Sequence, residues 1–128
     1  RWRDYLRLPL NIEPRYFPVI DEMAAAMVLA LREEDQTVAL NFAGSCLKAV
    51  WADELDISNR STLLDLASEY GIDGEALLTK KESMLSMRKS ESEQAISKGI
   101  YGVPSYVVNE EVFWGQDRLD FLERLVAK

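Results

Sequence analysis

Apolar positions recur at three- and four-residue intervals through most of the chain, and this spacing predicts a succession of amphipathic helices. Met23, Ala26, Met27, Ala30 and Leu31 share one helical face, with Asp21 placed as the N-cap. A second helix is expected from near Asp35 to Ala52 or Asp53, carrying Val38, Phe42, Cys46 and Val50 on one side. Asp56-Ile57-Ser58-Asn59 has the side-chain chemistry of a turn and a cap. The third helix carries Leu63, Leu64, Leu66, Ala67 and Tyr70, and Gly71 closes it where a left-handed backbone is needed. Ile72 and Leu77 flank Asp73 as a hydrophobic staple for a short helix reaching about Thr79. A longer helix follows from about Lys80 to Lys98, with Leu85, Ser92, Ala95, Ile96 and Gly99 expected toward the core.

The two ends read differently. Residues 1–8 resemble the end of an amphipathic helix, stopped before Pro9. Pro9, Pro14 and Pro18 then mark an extended connector, taken as a domain boundary. From Gly102 the pattern is turn, strand, tight turn, strand and helix start, with Val103-Pro104 entering the first strand. Proline is tolerated there as a cis bend, because an X-Pro bond loses only about 0.5–1 kcal/mol on becoming cis. The plainer reading is that Pro104 merely ends the preceding turn. The last helix is expected to open at Gly115-Gln116-Asp117 and to pack Leu119, Leu122, Leu125 and Val126 on the sheet.

Composition narrows the classes of function. The 128 residues suit one domain, 48% hydrophobic and 29% charged, with no apolar run long enough for a membrane span. A net charge of −7 with scattered Lys and Arg argues against a nucleic-acid partner. Lys80-Lys81 and Arg88-Lys89 read as solvated helix positions. With no histidine and one cysteine, neither a Ser-His-Asp site nor a Cys-x-x-Cys pair can be assembled from these residues. Cys46 reads as a small buried apolar residue, which fits a reducing cytoplasm.

The Gly102-Val103-Pro104 step, the paired strands and the Trp114-Gly115-Gln116-Asp117-Arg118-Leu119 run occur together in order. In this they resemble the C-terminal end of the 2-hydroxychromene-2-carboxylate isomerase family, related to kappa-class glutathione transferases and DsbA-like proteins. Weaker echoes are Arg1-Trp2-Arg3-Asp4-Tyr5-Leu6, Tyr16-Phe17-Pro18, and Val50-Trp51 followed by Asp56-Ile57-Ser58. The periodicities alone equally allow a small α+β domain; the resemblance selects an α/β thioredoxin-like (DsbA-like) fold with an all-helical insertion. Residues 1–18 and 99–128 would form part of the thioredoxin-like domain, and residues 19–98 the insertion. The resemblance further implies that the catalytic serine and the first strand, helix and second strand lie upstream of Arg1. Ser45, Ser58, Ser61 and Ser105 stand in the wrong context for that serine.

What the resemblance implies for function is a glutathione-dependent isomerase of aromatic catabolism. Val103 would pair its backbone with the cysteinyl part of glutathione, and Pro104 would shape the bend. Gln116 and the N–H groups of the opening turn would take the γ-glutamyl carboxylate, and Asp117 its ammonium. Plain N-capping explains Asp117 equally well from sequence. Trp51 and Trp114 are expected mainly in core packing, although either aromatic, with Tyr16, Phe17 and Pro18, suits the wall of a pocket for a small aromatic substrate. Alternatives are a kappa-like glutathione transferase, a DsbA-like thiol–disulfide oxidoreductase, or a non-catalytic binding or dimerisation module; a homodimer is left open.

Overall fold

The computed structural model describes residues 1–127 and divides them into two compact units, Arg1–Arg88 and the chain from Lys89 onward. The first unit begins with α1 (Trp2–Leu6), whose last turn ends at Arg7 in a left-handed conformation. The proline-marked connector follows and is docked by Glu54. That carboxylate accepts from the Asn11 amide at 2.7 Å and the Arg15 N–H at 3.2 Å. The Asn11 backbone N–H also donates to the Trp51 carbonyl at 2.7 Å, at the end of α3 (Gln36–Trp51). Both Phe17-Pro18 and Val103-Pro104 are cis.

Around this connector, α2 (Glu22–Glu34), α3, α4 (Arg60–Ser68) and α5 (Gly74–Thr79) enclose one core, centred on the fully buried Met27, Phe42 and Leu63. Burying each such side chain contributes about 1.5–3 kcal/mol, so three of them are a large share of the stability of a domain. The local signals act as expected at three helix starts. Asp35 accepts from the N–H groups of Thr37 and Val38, Asn59 from Ser61, and Asp73 from Ala76. Asp56 accepts from the Ser58 N–H and hydroxyl, and Gly71 closes α4 at φ 67°.

Asp21 departs from its expected role. It occupies the N-cap position of α2 but makes no capping bond. Its two oxygens receive the fork of Arg88 instead, at 2.9 and 2.8 Å. A bidentate, charge-assisted pair outcompetes a single bond to a backbone N–H. Lys80 bonds Glu34 at 2.8 Å, so this basic position is engaged rather than simply solvated.

The long helix α6 (Lys81–Ser97) carries the chain out of the first unit. Met84 is its one buried residue, with Leu85 and Met87 half-buried against the core. Ser92 and Gly99 are exposed and Ile96 is 71% exposed, contrary to the expected inward face. Gly99 serves conformation rather than packing, with φ 74° where Ile100 N–H bonds back to Ala95.

In the second unit, β1 (Ser105–Val108) and β2 (Glu111–Trp114) pair antiparallel, matching Ser105 with Trp114 and Val108 with Glu111. Asn109 and Glu110 both take positive φ, as a two-residue hairpin turn of matching twist demands. A single 3₁₀ turn (Gln116–Arg118) then leads into α7 (Leu119–Val126).

Candidate functional site

The site region is built from the hairpin and the turn that follows it. One residue beyond the last ladder pair, the Pro104 carbonyl accepts the Gly115 N–H at 2.9 Å. This bond holds the bent strand entrance beside the turn that carries Gln116 and Asp117. Val103 projects away, 89% exposed, and neither its N–H nor its carbonyl has a hydrogen-bond partner among the described residues. Gly102 is held differently, its carbonyl accepting from the Ser105 hydroxyl at 2.6 Å.

Gly115 has φ 98° and ψ 152°, a conformation open to glycine and few others, and the helix therefore does not start there. The expected helix opening at residues 115–117 is a 3₁₀ turn, and α7 begins only at Leu119. Asp117 makes no capping bond to either element. Its carboxylate folds back over Gly115, with Oδ1 2.5 Å from where a Cβ would stand on that glycine. Capping is thus not what this aspartate does. Gln116 is exposed at the head of the same turn.

A groove of about 510 Å³ opens against this turn, walled by Tyr101, Trp114, Gly115, Asp117, Arg118 and Phe121 among others. Asp117 belongs to its lining; Val103, Pro104 and Gln116 do not, and Pro104 meets the groove only through Gly115. Trp114 is 50% exposed, so the expected core role is not the one it has. Its indole edge lies across Gly102, with Nε1 2.5 Å from a Cβ position there, and its ring stands 5.2 Å from that of Tyr101. Arg118 lies over the Phe121 ring at 5.9 Å. Neither Tyr101 nor Phe121 was expected at this site from the sequence pattern. The signals were present in the tyrosine beside Gly102 and the i, i+3 spacing of Arg118 and Phe121.

The packing of α7 is also looser than expected. Leu122 and Leu125 are half-buried, whereas Leu119 and Val126 are exposed, and α7 has no buried residue. Two strands present too narrow a face to cover an apolar helix stripe.

Within the first unit, the Phe17 and Trp51 rings meet at 4.7 Å and line a separate groove of about 330 Å³, without Tyr16 or Pro18. Cys46 borders it and is buried, and burial pushes its thiol up to about 11, so it behaves as the small apolar residue expected. The four weighed serines are all engaged by other groups: Ser45 with the distant Tyr70, and Ser58 with Asp56, Ser61 with Asn59 and Ser105 with Gly102 within three residues. Among the described residues no helix is long and apolar enough to cross a membrane.

The cis-proline strand entrance, the hairpin and the helical block define a thioredoxin-like class of protein. A family model of the DsbA-like thioredoxin domain matches residues 1–127, and the chain belongs to that family. It is 33% identical over 126 residues to a 2-hydroxychromene-2-carboxylate isomerase of Sphingobium xenophagum, covering 96% of this chain and 62% of that protein. A solved structure of 2-hydroxychromene-2-carboxylate isomerase superimposes with a TM-score of 0.79 at 21% identity, covering 99% of this chain and 61% of the other. The chain therefore spans about three fifths of the length of these relatives. Its fold is the DsbA-like thioredoxin fold, mostly helical, with a two-stranded antiparallel sheet and a C-terminal helix.

Proposed function

We propose that this chain forms the glutathione-holding part of an isomerase that acts on an aromatic catabolic intermediate, in the manner of the 2-hydroxychromene-2-carboxylate isomerase it resembles. The observation that carries the reading is the Pro104–Gly115 bond, which sets the unpaired backbone of Val103 and the uncapped carboxylate of Asp117 on adjoining segments. A tripeptide needs both kinds of group. An exposed backbone N–H and carbonyl pair with an extended peptide by strand addition, and a free carboxylate pairs with an ammonium. Pro104 keeps Val103 in its bend. Gln116, exposed at the head of the turn, offers an amide to the γ-glutamyl carboxylate.

Glutathione, when bound, supplies a thiol nucleophile; the residues of this chain bind and orient it. The half-exposed Trp114 and its neighbour Tyr101 wall the adjoining groove with aromatic surface suited to a flat substrate. Thiol–disulfide exchange finds no support in Cys46, whose burial keeps it protonated at neutral pH.

Titration calorimetry of the chain with glutathione tests the reading. Binding that weakens at least about tenfold in Asp117→Ala, with unchanged circular dichroism, is the expected result. Absence of binding, or equal affinity in the variant, rejects it.

A further inference from the structure

The groove beside Trp114, about 510 Å³ in volume, has one wall made of a whole strand. All four residues of β2, Glu111, Val112, Phe113 and Trp114, line it, and no residue of β1 does. Side chains alternate between the two faces of a strand, so a groove that meets every residue of β2 runs along its edge, on the side away from β1. The register identifies the backbone groups presented there. Pro104 and Gly115 are joined by a hydrogen bond, and in an antiparallel ladder such pairs alternate with pairs that exchange none. Tyr106 with Phe113 and Val108 with Glu111 therefore bond across the hairpin, whereas Val112 and Trp114 turn their N–H and carbonyl groups outward into the groove. These outward groups make no other hydrogen bond among the described residues. Nor is the edge blunted, since β2 has no proline, no lysine and no bulge.

Two outward residues in succession, about 7 Å apart along the strand, are the template on which an extended segment adds as a third strand. The remaining walls come from Tyr101, from the turn after β2 and from Phe121 of α7, so the edge is set in a trough with aromatic surface for the segment's apolar side chains. Charge selects its ends. Glu110 and Glu111 are exposed at the hairpin turn and Asp117 is exposed beyond Trp114, against one cation in the lining, Arg118, which lies over the Phe121 ring at 5.9 Å. With a net charge of −7 on the whole chain, a basic segment is drawn to this groove and an acidic one is repelled. We propose that the free edge of β2 is a strand-addition site for an extended peptide with apolar residues between basic ends. Trp114 also stands in the wall proposed for the aromatic substrate, so a bound segment and that substrate exclude one another. The pairing itself does not rest on the substrate or glutathione reading.

Fluorescence anisotropy of the full chain with a labelled probe, acetyl-Lys-Val-Thr-Val-Thr-Val-Lys-amide, reads the pairing in the absence of glutathione. The expected result is saturable binding with Kd below about 500 μM, weakened at least about tenfold when glutamates replace the two lysines. Methylating alternate amide nitrogens of the probe separates backbone pairing from adsorption. One set faces β2 and its methylation abolishes binding, whereas methylation of the other set changes Kd by less than about threefold. Val112→Pro removes one outward N–H, at the kind of edge position where proline is tolerated, and weakens binding at least about tenfold while circular dichroism is kept. Glu111→Lys, at an exposed site, weakens the lysine-ended probe and tightens the glutamate-ended one. No saturable binding up to about 5 mM overturns the proposal, and so does equal binding of the two methylated probes. A glutamate-ended probe that binds as well as the lysine-ended one overturns the basic character of the partner.

Discussion

The Pro104 carbonyl accepts the Gly115 N–H at 2.9 Å, joining the bent strand entrance to the turn that carries Asp117. Its donor, Gly115, has φ 98°, and Asp117 Oδ1 fills the space a side chain there would need.

Gly115→Ala is therefore expected to destabilise the chain by about 1–3 kcal/mol, since it suffers both an unfavourable backbone region and a collision. Urea unfolding measures the loss. Adding Asp117→Ala removes the collision but not the backbone penalty, so the double variant recovers only part of the stability. Full recovery would show that the positive φ carries no cost.

Gly102→Ala is expected to displace Trp114, because the new methyl group would stand 2.5 Å from the indole Nε1. Overpacking of this kind costs about 1–3 kcal/mol where the neighbour cannot yield, and less where it swings aside. In a Trp2→Phe, Trp51→Phe background the emission of Trp114 reports the movement alone. A red shift is the expected sign, as the half-exposed ring leaves Gly102 and Tyr101 for water. An unchanged spectrum would contradict the close approach.

Cys46 gives the chain an alkaline limit. Burial raises its thiol from the ordinary 9.0 to about 11, so between these values the unfolded chain loses a proton that the folded chain keeps. The folded state then binds more protons, and stability falls as pH rises. The contribution is fully present below pH 9 and is lost by about pH 11, an effect of the order of 2 kcal/mol. Cys46→Ala removes this pH dependence even though it lowers stability throughout, and unfolding curves at pH 8 and pH 10.5 separate the two effects. In the same range the native thiol reacts slowly with Ellman's reagent, and unfolding releases it.

How much was legible depended on how far each residue's decisive partner lay along the chain. Asp35, Asn59 and Asp73 bond N–H groups two or three residues away, and their capping roles follow from sequence. Asp21 carries the same local signal, but Arg88, 67 positions on, takes its carboxylate. Gly99 and Ile96 were expected inward from helical spacing alone; the glycine terminates α6 through its positive φ, and the isoleucine stands in solvent. Asp117 could be a cap or a ligand group by sequence, and only the positive φ of Gly115 moved the helix start past it.

The sequence by itself determined the run of helices, most of their caps, the hairpin, and the strand-entrance proline, because each depends on periodicity or on contacts a few residues long. Tertiary structure decided which apolar positions are truly covered, that Trp114 faces a groove rather than the core, and that Asp21 pairs with Arg88. Those outcomes turn on what surface a distant segment brings to the same place, and no local pattern encodes that.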